Sequence, residues 1–437
     1  MSPAALTGIL FGSMLLLVAS GLPIAFALGG LAVLFSLILW GSSGFYSVVL
    51  NTFGGMTNYL LVAIPMFVFM SVMLEKGGIA EDLFSAVRKW MGGIRGGLAV
   101  GTVVIAVILA AMMGISAAAT AVLGLIALPT MLRFGYKKEI SVGSIQAGAA
   151  LAMLIPPSAL MIILGLFGTM SPGQLFIAGI LPGVVLASLF IAYILIRSWL
   201  QPDLGPGLPR EERATLKEKF ISLRSLVLPI MLIALVLGSI FFGVTTVTEA
   251  SGMGAFGSII VAAVYRRLNW NMLREVCLQT LRVSAMIMWI VFAATAFTAV
   301  YNGIGGPGFI GDLMTGIPGG RWVTLIVMQV IILLLGCFLD SGAIALITIP
   351  IFLPIAESLG FNPIWFGILF VMNCEMGLLT PPFGINLFVM RSVAPATVTT
   401  GDIYRSIIPF VGLQALGLAL VMIFPQIALW LPGVMLK

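Results

Sequence analysis

Long apolar runs, broken by short polar connections, dominate this chain. Uncharged runs predict spans at Ala5–Ser20, Ile24–Trp40, Tyr59–Leu74, Ile140–Phe167, Leu175–Leu195, Leu226–Phe242, Thr248–Val264, Val283–Val300, Ile364–Met390 and Ile407–Trp430. Two further runs differ. Leu98–Leu132 carries no charge, and Trp322–Ile355 carries only Asp340. At about 1.5 Å per residue each would be about 50 Å long, too long for one crossing of a roughly 30 Å core. Each is interrupted near its middle, at Gly114-Ile115-Ser116 and between Gly336 and Gly342. Both read as helical hairpins that enter and leave by the same side. The expected class is an all-α polytopic membrane protein with about ten spans and two re-entrant hairpins.

The pattern occurs twice. Each half has three spans, a hairpin, a span interrupted by Pro-Pro, and a last span. Five crossings per half is odd, so the copies are inverted. The first repeat covers 1–200, with its hairpin at 98–132 and its interrupted helix at 140–167. The second covers 226–437, with the corresponding elements at 322–355 and 364–390. A linker, 201–225, joins them, and Pro209 followed by acids predicts a short surface helix there. Sequence echoes fall in the same order in both halves. Gly78–Leu83 matches Gly308–Leu313, Gly114 matches Gly336, Ile155–Ser158 matches Thr380–Phe383, and Gly173–Pro182 matches Gly401–Pro409.

Charge orients the plan. With the hairpins re-entrant and both termini outside, 19 of the 21 Lys and Arg fall on cytoplasmic segments, leaving Arg321 and Lys437. Treating each hairpin as one span would move most of those basic residues outside, against the positive-inside rule. Composition closes other classes. Charged residues are 8% of the chain, apolar types 61%, and mean hydropathy is +1.20. A soluble enzyme would need far more polar surface. The chain has no histidine, which removes His-based catalysis, His-ligated metals and His proton relays. The basic loops read as orientation signals, not as a nucleic-acid surface. Cys277, Cys337 and Cys374 lack paired spacing and read as buried small residues.

The chemistry concentrates at four interruptions: the tips Gly114–Ala121 and Gly336–Ala343, and the breaks at Pro156-Pro157 and Pro381-Pro382. Paired prolines stop one helix and start another. A helix broken at mid-membrane offers N–H groups to an anion and C=O groups to a cation. Ser116, Ser158, Ser341, Thr380 and Asn386 add polar side chains there. Asp340 and Glu375 are the acids deepest in apolar runs, and Asp340, at a tip, is the stronger candidate. Glu375 reads equally as a site residue or as a pair with a polar neighbour. Thr246 and Glu249 read as a capping box. Ile79–Met91 is amphipathic, either an arm between moving and fixed parts or a surface anchor.

Ser20–Gly30 (SGLPIAFALGG), the two tips, LIPPS, Thr248–Ala250 and Leu378–Val389 (LLTPPFGINLFV) resemble the large membrane subunit of tripartite ATP-independent periplasmic (TRAP) transporters over essentially the whole chain. The resemblance implies an elevator-type carrier that takes up small organic anions, carboxylates or sulfonates, across the bacterial inner membrane. It implies two or more coupling Na⁺, no organic cofactor, a small four-helix membrane subunit and a periplasmic binding protein. Carried onto this sequence, one Na⁺ site involves Gly114, Ser116, Leu154 and Pro156. Another involves Gly336, Cys337, Asp340, Gly377 and Thr380. Substrate would lie near Ser116, Ser158, Ser341 and Asn386. Two other readings stay open: a stand-alone Na⁺/divalent-anion symporter, and a membrane-embedded enzyme, which lacks a clustered acid–base set.

Overall fold

The structure, a computed structural model, describes residues 2–209, 212–381 and 384–435. Nineteen α-helices make up the described residues. The first three are α1 (Pro3–Ala19), α2 (Ile24–Met56) and α3 (Ala63–Lys76). The amphipathic α4 (Ile79–Met91) follows. Next come a hairpin, α5 (Gly97–Met113) and α6 (Ser116–Arg133), a broken helix, α7 (Lys138–Ala150) and α8 (Ala159–Phe167), and the long α9 (Pro172–Leu200). The second half repeats this order. It has α10 (Leu216–Phe241), α11 (Val247–Val264), α12 (Trp270–Gly303) and the short α13 (Gly306–Thr315). Then come the hairpin α14 (Gly320–Gly336) and α15 (Ser341–Ser358), the broken pair α16 (Pro363–Leu379) and α17 (Ile385–Val393), and α18 (Thr400–Ile423) with α19 (Gln426–Val434). Among the described residues, nine helical stretches are long and apolar enough to cross a membrane.

Packing sorts the helices into two groups. Helices α2, α3, α11 and α12 pack on one another, with α10 against α11 and α1 against α2. The hairpins, broken helices, α9 and α18 form the other group, in which α7 packs on α18 and α16 on α9. The two short helices α4 and α13 stand between the groups, each entered through a left-handed glycine, Gly78 (φ 69°) and Gly305 (φ 74°). The first is held on both sides. Arg267, beyond α11, bonds the Gly77 carbonyl and pairs with Asp82 at 2.8 Å, while α4 packs on α5. Trp90 meets Phe220 edge to face and donates to the Lys219 carbonyl at 3.0 Å.

Some boundaries meet the sequence reading and others depart from it. Among the described residues the linker carries a short 3₁₀ turn, Pro202–Leu204, and reaches Thr215, whose capping box with Glu218 opens α10. Arg210 and Glu211, part of the expected helix, lie outside the described residues. The linker is drawn onto the loops beside hairpin one by backbone bonds from Gly96 to Gly205, Leu208 to Gly92 and Lys137 to Leu204. The run Ile24–Trp40 does end as expected: Gly41 is non-helical (φ 63°, ψ −151°), and a second helical segment continues from it to Met56. The expected Ile407–Trp430 span is divided at Phe424, where Pro425 cannot donate to the preceding turn. Cys277 is exposed on α12, whereas Cys337 and Cys374 are buried. The Thr246–Glu249 capping box forms as expected, with both reciprocal bonds present.

All three ion pairs among the described residues cross between the halves: Arg267 with Asp82, Lys76 with Glu275, and Lys138 with Asp402. Lys138, opening α7, reaches Asp402 at 2.9 Å and the Thr397 carbonyl at 2.6 Å. Both side chains of this last pair are partly solvent-exposed, so screening limits its worth. A Lys138→Ala/Asp402→Ala double-mutant cycle is expected to give a coupling energy below about 1 kcal/mol in thermal unfolding. A larger value would show that the pair is a structural lock.

Candidate functional site

The site is built by two contacts of the same kind. Gly114, left-handed at φ 59°, lies against the first break: a Cβ there would stand 2.5 Å from the Pro157 carbonyl oxygen. Gly336 lies against the second break, where a Cβ would come within 3.0 Å of the Gly377 Cα. Each hairpin tip therefore rests, backbone on backbone, on the broken helix of its own half. Proline chemistry makes those breaks polar. Pro156 and Pro157 have no N–H to offer the carbonyls of Ala152 and Met153, and Pro381 has none for Gly377. The Gly377 carbonyl is instead taken by the Thr380 N–H at 3.1 Å. Pro382, the second proline of that break, lies outside the described residues.

The tips also cross between the halves. Asn386, opening α17, donates to the Ser116 hydroxyl of hairpin one at 2.6 Å. Ser341 of hairpin two contacts the Met153 sulfur at the first break at 3.6 Å. Ser116 and Ser341 hold equivalent places, each the first residue of the second hairpin helix. These contacts enclose a cavity of about 130 Å³ lined by Ser116, Asp340, Ser341 and Asn386. Four helices, α6, α8, α15 and α17, begin at this cavity, and the first two residues of each line it.

Capping shows what those helix starts are free to do. Helices α9, α10, α11, α12, α16 and α18 each open on a Ser, Thr or Asn side chain that accepts a first-turn N–H. At the cavity only α15 is capped so, by Asp340, which accepts from the Gly342 N–H at 2.9 Å. Helices α6, α8 and α17 have no side-chain cap. Their first-turn N–H groups are the partial positive charges of the site, and no Lys or Arg lines the cavity. The Asn386 Oδ1 is buried without a partner. The uncapped N–H groups suit an anion, whereas the Asp340 carboxylate and the Asn386 Oδ1 are acceptors.

Other expected residues sit differently. Ser158 does not line the cavity; it occupies the N-cap position of α8 with its hydroxyl buried and unbonded. Thr380 turns its hydroxyl back to the Met376 carbonyl at 2.6 Å, and Cys337 its thiol to the Leu333 carbonyl at 3.4 Å. The Thr380 hydroxyl thereby spends its proton and keeps its oxygen lone pairs for a cation. The far wall is new: Val283, Met286, Ile287 and Ile290 of α12 face the tips as one helical stripe. Hairpin two gains a further clamp in Asn373, which donates to the Gln329 carbonyl at 2.6 Å and to its side-chain oxygen at 2.7 Å.

Comparison with known proteins agrees with this architecture. Residues 11–427 match the family described as the tripartite ATP-independent periplasmic transporter, DctM component. The C4-dicarboxylate TRAP transporter large permease protein DctM of Pseudomonas aeruginosa is 34% identical over 405 residues, covering 92% of this chain and 93% of the relative. The isethionate TRAP transporter permease protein DctMQ of Oleidesulfovibrio alaskensis is 30% identical, covering 97% of this chain and 66% of that longer protein. Among solved structures, the YdaH transporter of Alcanivorax borkumensis superposes with a TM-score of 0.66 at 16% identity, over 96% of this chain and 98% of that one, a likeness of fold. The chain is a multi-span transporter component, not an enzyme, and it belongs to the DctM family of TRAP transporter large membrane subunits.

Proposed function

We propose that this chain carries small organic anions, carboxylates or sulfonates, across the bacterial inner membrane, with Na⁺ as coupling ion and both termini periplasmic. The observation that carries the reading is the convergence of four helix starts, three without side-chain caps, on one cavity. Carboxylate and sulfonate cargo is named for the Pseudomonas and Oleidesulfovibrio relatives. Na⁺ fits the carbonyls left without donors at the breaks, together with Asp340, since hard cations take oxygen ligands. Two or more ions follow from the repetition of tip and break in the two halves. The halves are inverted repeats. The tips, breaks, α9 and α18 would move as one body past α2, α3, α11 and α12, with α4 and α13 as arms. The partners are a small four-helix membrane subunit and a periplasmic binding protein.

Reconstituted uptake with each component omitted in turn tests this. Uptake is expected only with all three proteins and an inward Na⁺ gradient. Undiminished uptake after that gradient is collapsed would remove Na⁺ coupling. Uptake by this chain alone would establish the stand-alone symporter instead.

A further inference from the structure

Glu375 belongs to none of the contacts described so far. It lies on α16 about a turn and a half before Pro381, is fully buried, and has neither carboxyl oxygen hydrogen-bonded. Among the described residues it is the one charged type in the buried core. The carboxyl reaches toward the backbone of Leu154, at the break of the other half, without completing a hydrogen bond. Around it, α16 packs on both sides of that break, the 151–153 turn and α8. Among the described residues no basic side chain forms an ion pair with it. The ion pairs among the described residues use Lys76, Lys138 and Arg267. Arg197, Arg321, Arg391 and Arg405, on other helices packed against α16, lie toward helix ends.

A charge buried in an apolar interior costs several kcal/mol unless it is paired or coordinates an ion. The break that α16 packs against carries carbonyl oxygens. The prolines leave the carbonyls of Ala152 and Met153, two and one residues before Leu154, without their helical donors. Carboxylate and carbonyl oxygens together form a donor set for a hard monovalent cation. We propose that Glu375 is the anionic ligand of a monovalent cation seated between the two breaks, with first-break carbonyls completing its shell. Such an ion would differ from one held within a single half. It would bind only while α16 and the first break stay in contact, and so would hold the two broken helices as one body. The proposal rests on the Na⁺-coupled reading above.

The test uses the purified full chain in lipid nanodiscs. Thermal unfolding is followed against NaCl, with choline chloride holding ionic strength, and bound ²²Na⁺ is counted. Glu375→Gln keeps shape and removes charge. It is expected to raise the half-saturating Na⁺ concentration about tenfold or more and to lower the bound count by one. Wild-type affinity and count in that variant would overturn the proposal while leaving Na⁺ coupling intact. No Na⁺ response in the wild-type chain would overturn both. Should Glu375→Gln fail to fold, Glu375→Asp draws the carboxylate back by one methylene. A half-saturating concentration raised several-fold is then expected, and an unchanged one overturns the proposal.

Discussion

Gly377→Ala is expected to abolish uptake, to below about a tenth of the wild-type rate, while the protein still inserts and folds. A Cβ at Gly377 would stand 2.7 Å from the Gly336 Cα and 2.9 Å from its carbonyl carbon. These are backbone atoms of the facing tip, so no side chain can swing aside. One element must move. Overpacking of this kind typically costs 1–3 kcal/mol, about a fifth or less of the stability of a large domain. The displacement matters more than the energy. Pushing hairpin two off α16 alters Asp340 and Ser341 together, because both lie on the tip that Gly336 anchors. Gly308→Ala is the control: it has open space around its Cβ and should leave transport near wild type. Equal loss in both variants would show that glycine content, not the tip contact, matters. Full activity of Gly377→Ala would show that tip and break separate during the cycle at no cost.

Much of this site is legible from sequence because covalent chemistry writes it there. Pro156-Pro157 cannot continue a helix whatever surrounds it, and Gly114 takes a left-handed turn that most residues resist. The Thr246 and Glu249 spacing specifies its own capping bonds. Contacts between distant segments are different. Ser116 and Asn386 are 270 residues apart, and neither carries a signal that names the other. The α12 wall is hidden for another reason. Val283, Met286, Ile287 and Ile290 have the spacing of any apolar helix face, and in a membrane the lipid-facing and cavity-facing stripes look alike. Cys277 shows the same ambiguity: burial cannot be inferred from apolarity where the solvent is itself apolar. In the linker, as at Thr246 and Glu249, the Thr215 and Glu218 capping box specifies the start of α10 from local sequence.

Asp340 combines two roles that one pair of substitutions separates. Its side chain accepts from the Gly342 N–H at 2.9 Å and so caps α15, and it places a carboxylate at the cavity. Asp340→Ala removes both. Losing such a cap costs about 0.5–2 kcal/mol, enough to lower the melting temperature by a few degrees. Asp340→Asn removes only the charge, because asparagine caps a helix about as well as aspartate. Stability near wild type is therefore expected for Asp340→Asn. If the carboxylate serves the coupling cation, the half-saturating Na⁺ concentration for uptake should rise about tenfold or more in both variants, following lost charge and not lost stability. If Asp340 is only a cap, Asp340→Asn will transport at the wild-type rate with wild-type Na⁺ dependence, and the defect of Asp340→Ala will follow its melting temperature. Uptake measured against Na⁺ for both variants, alongside their thermal unfolding, decides between a ligand and a cap.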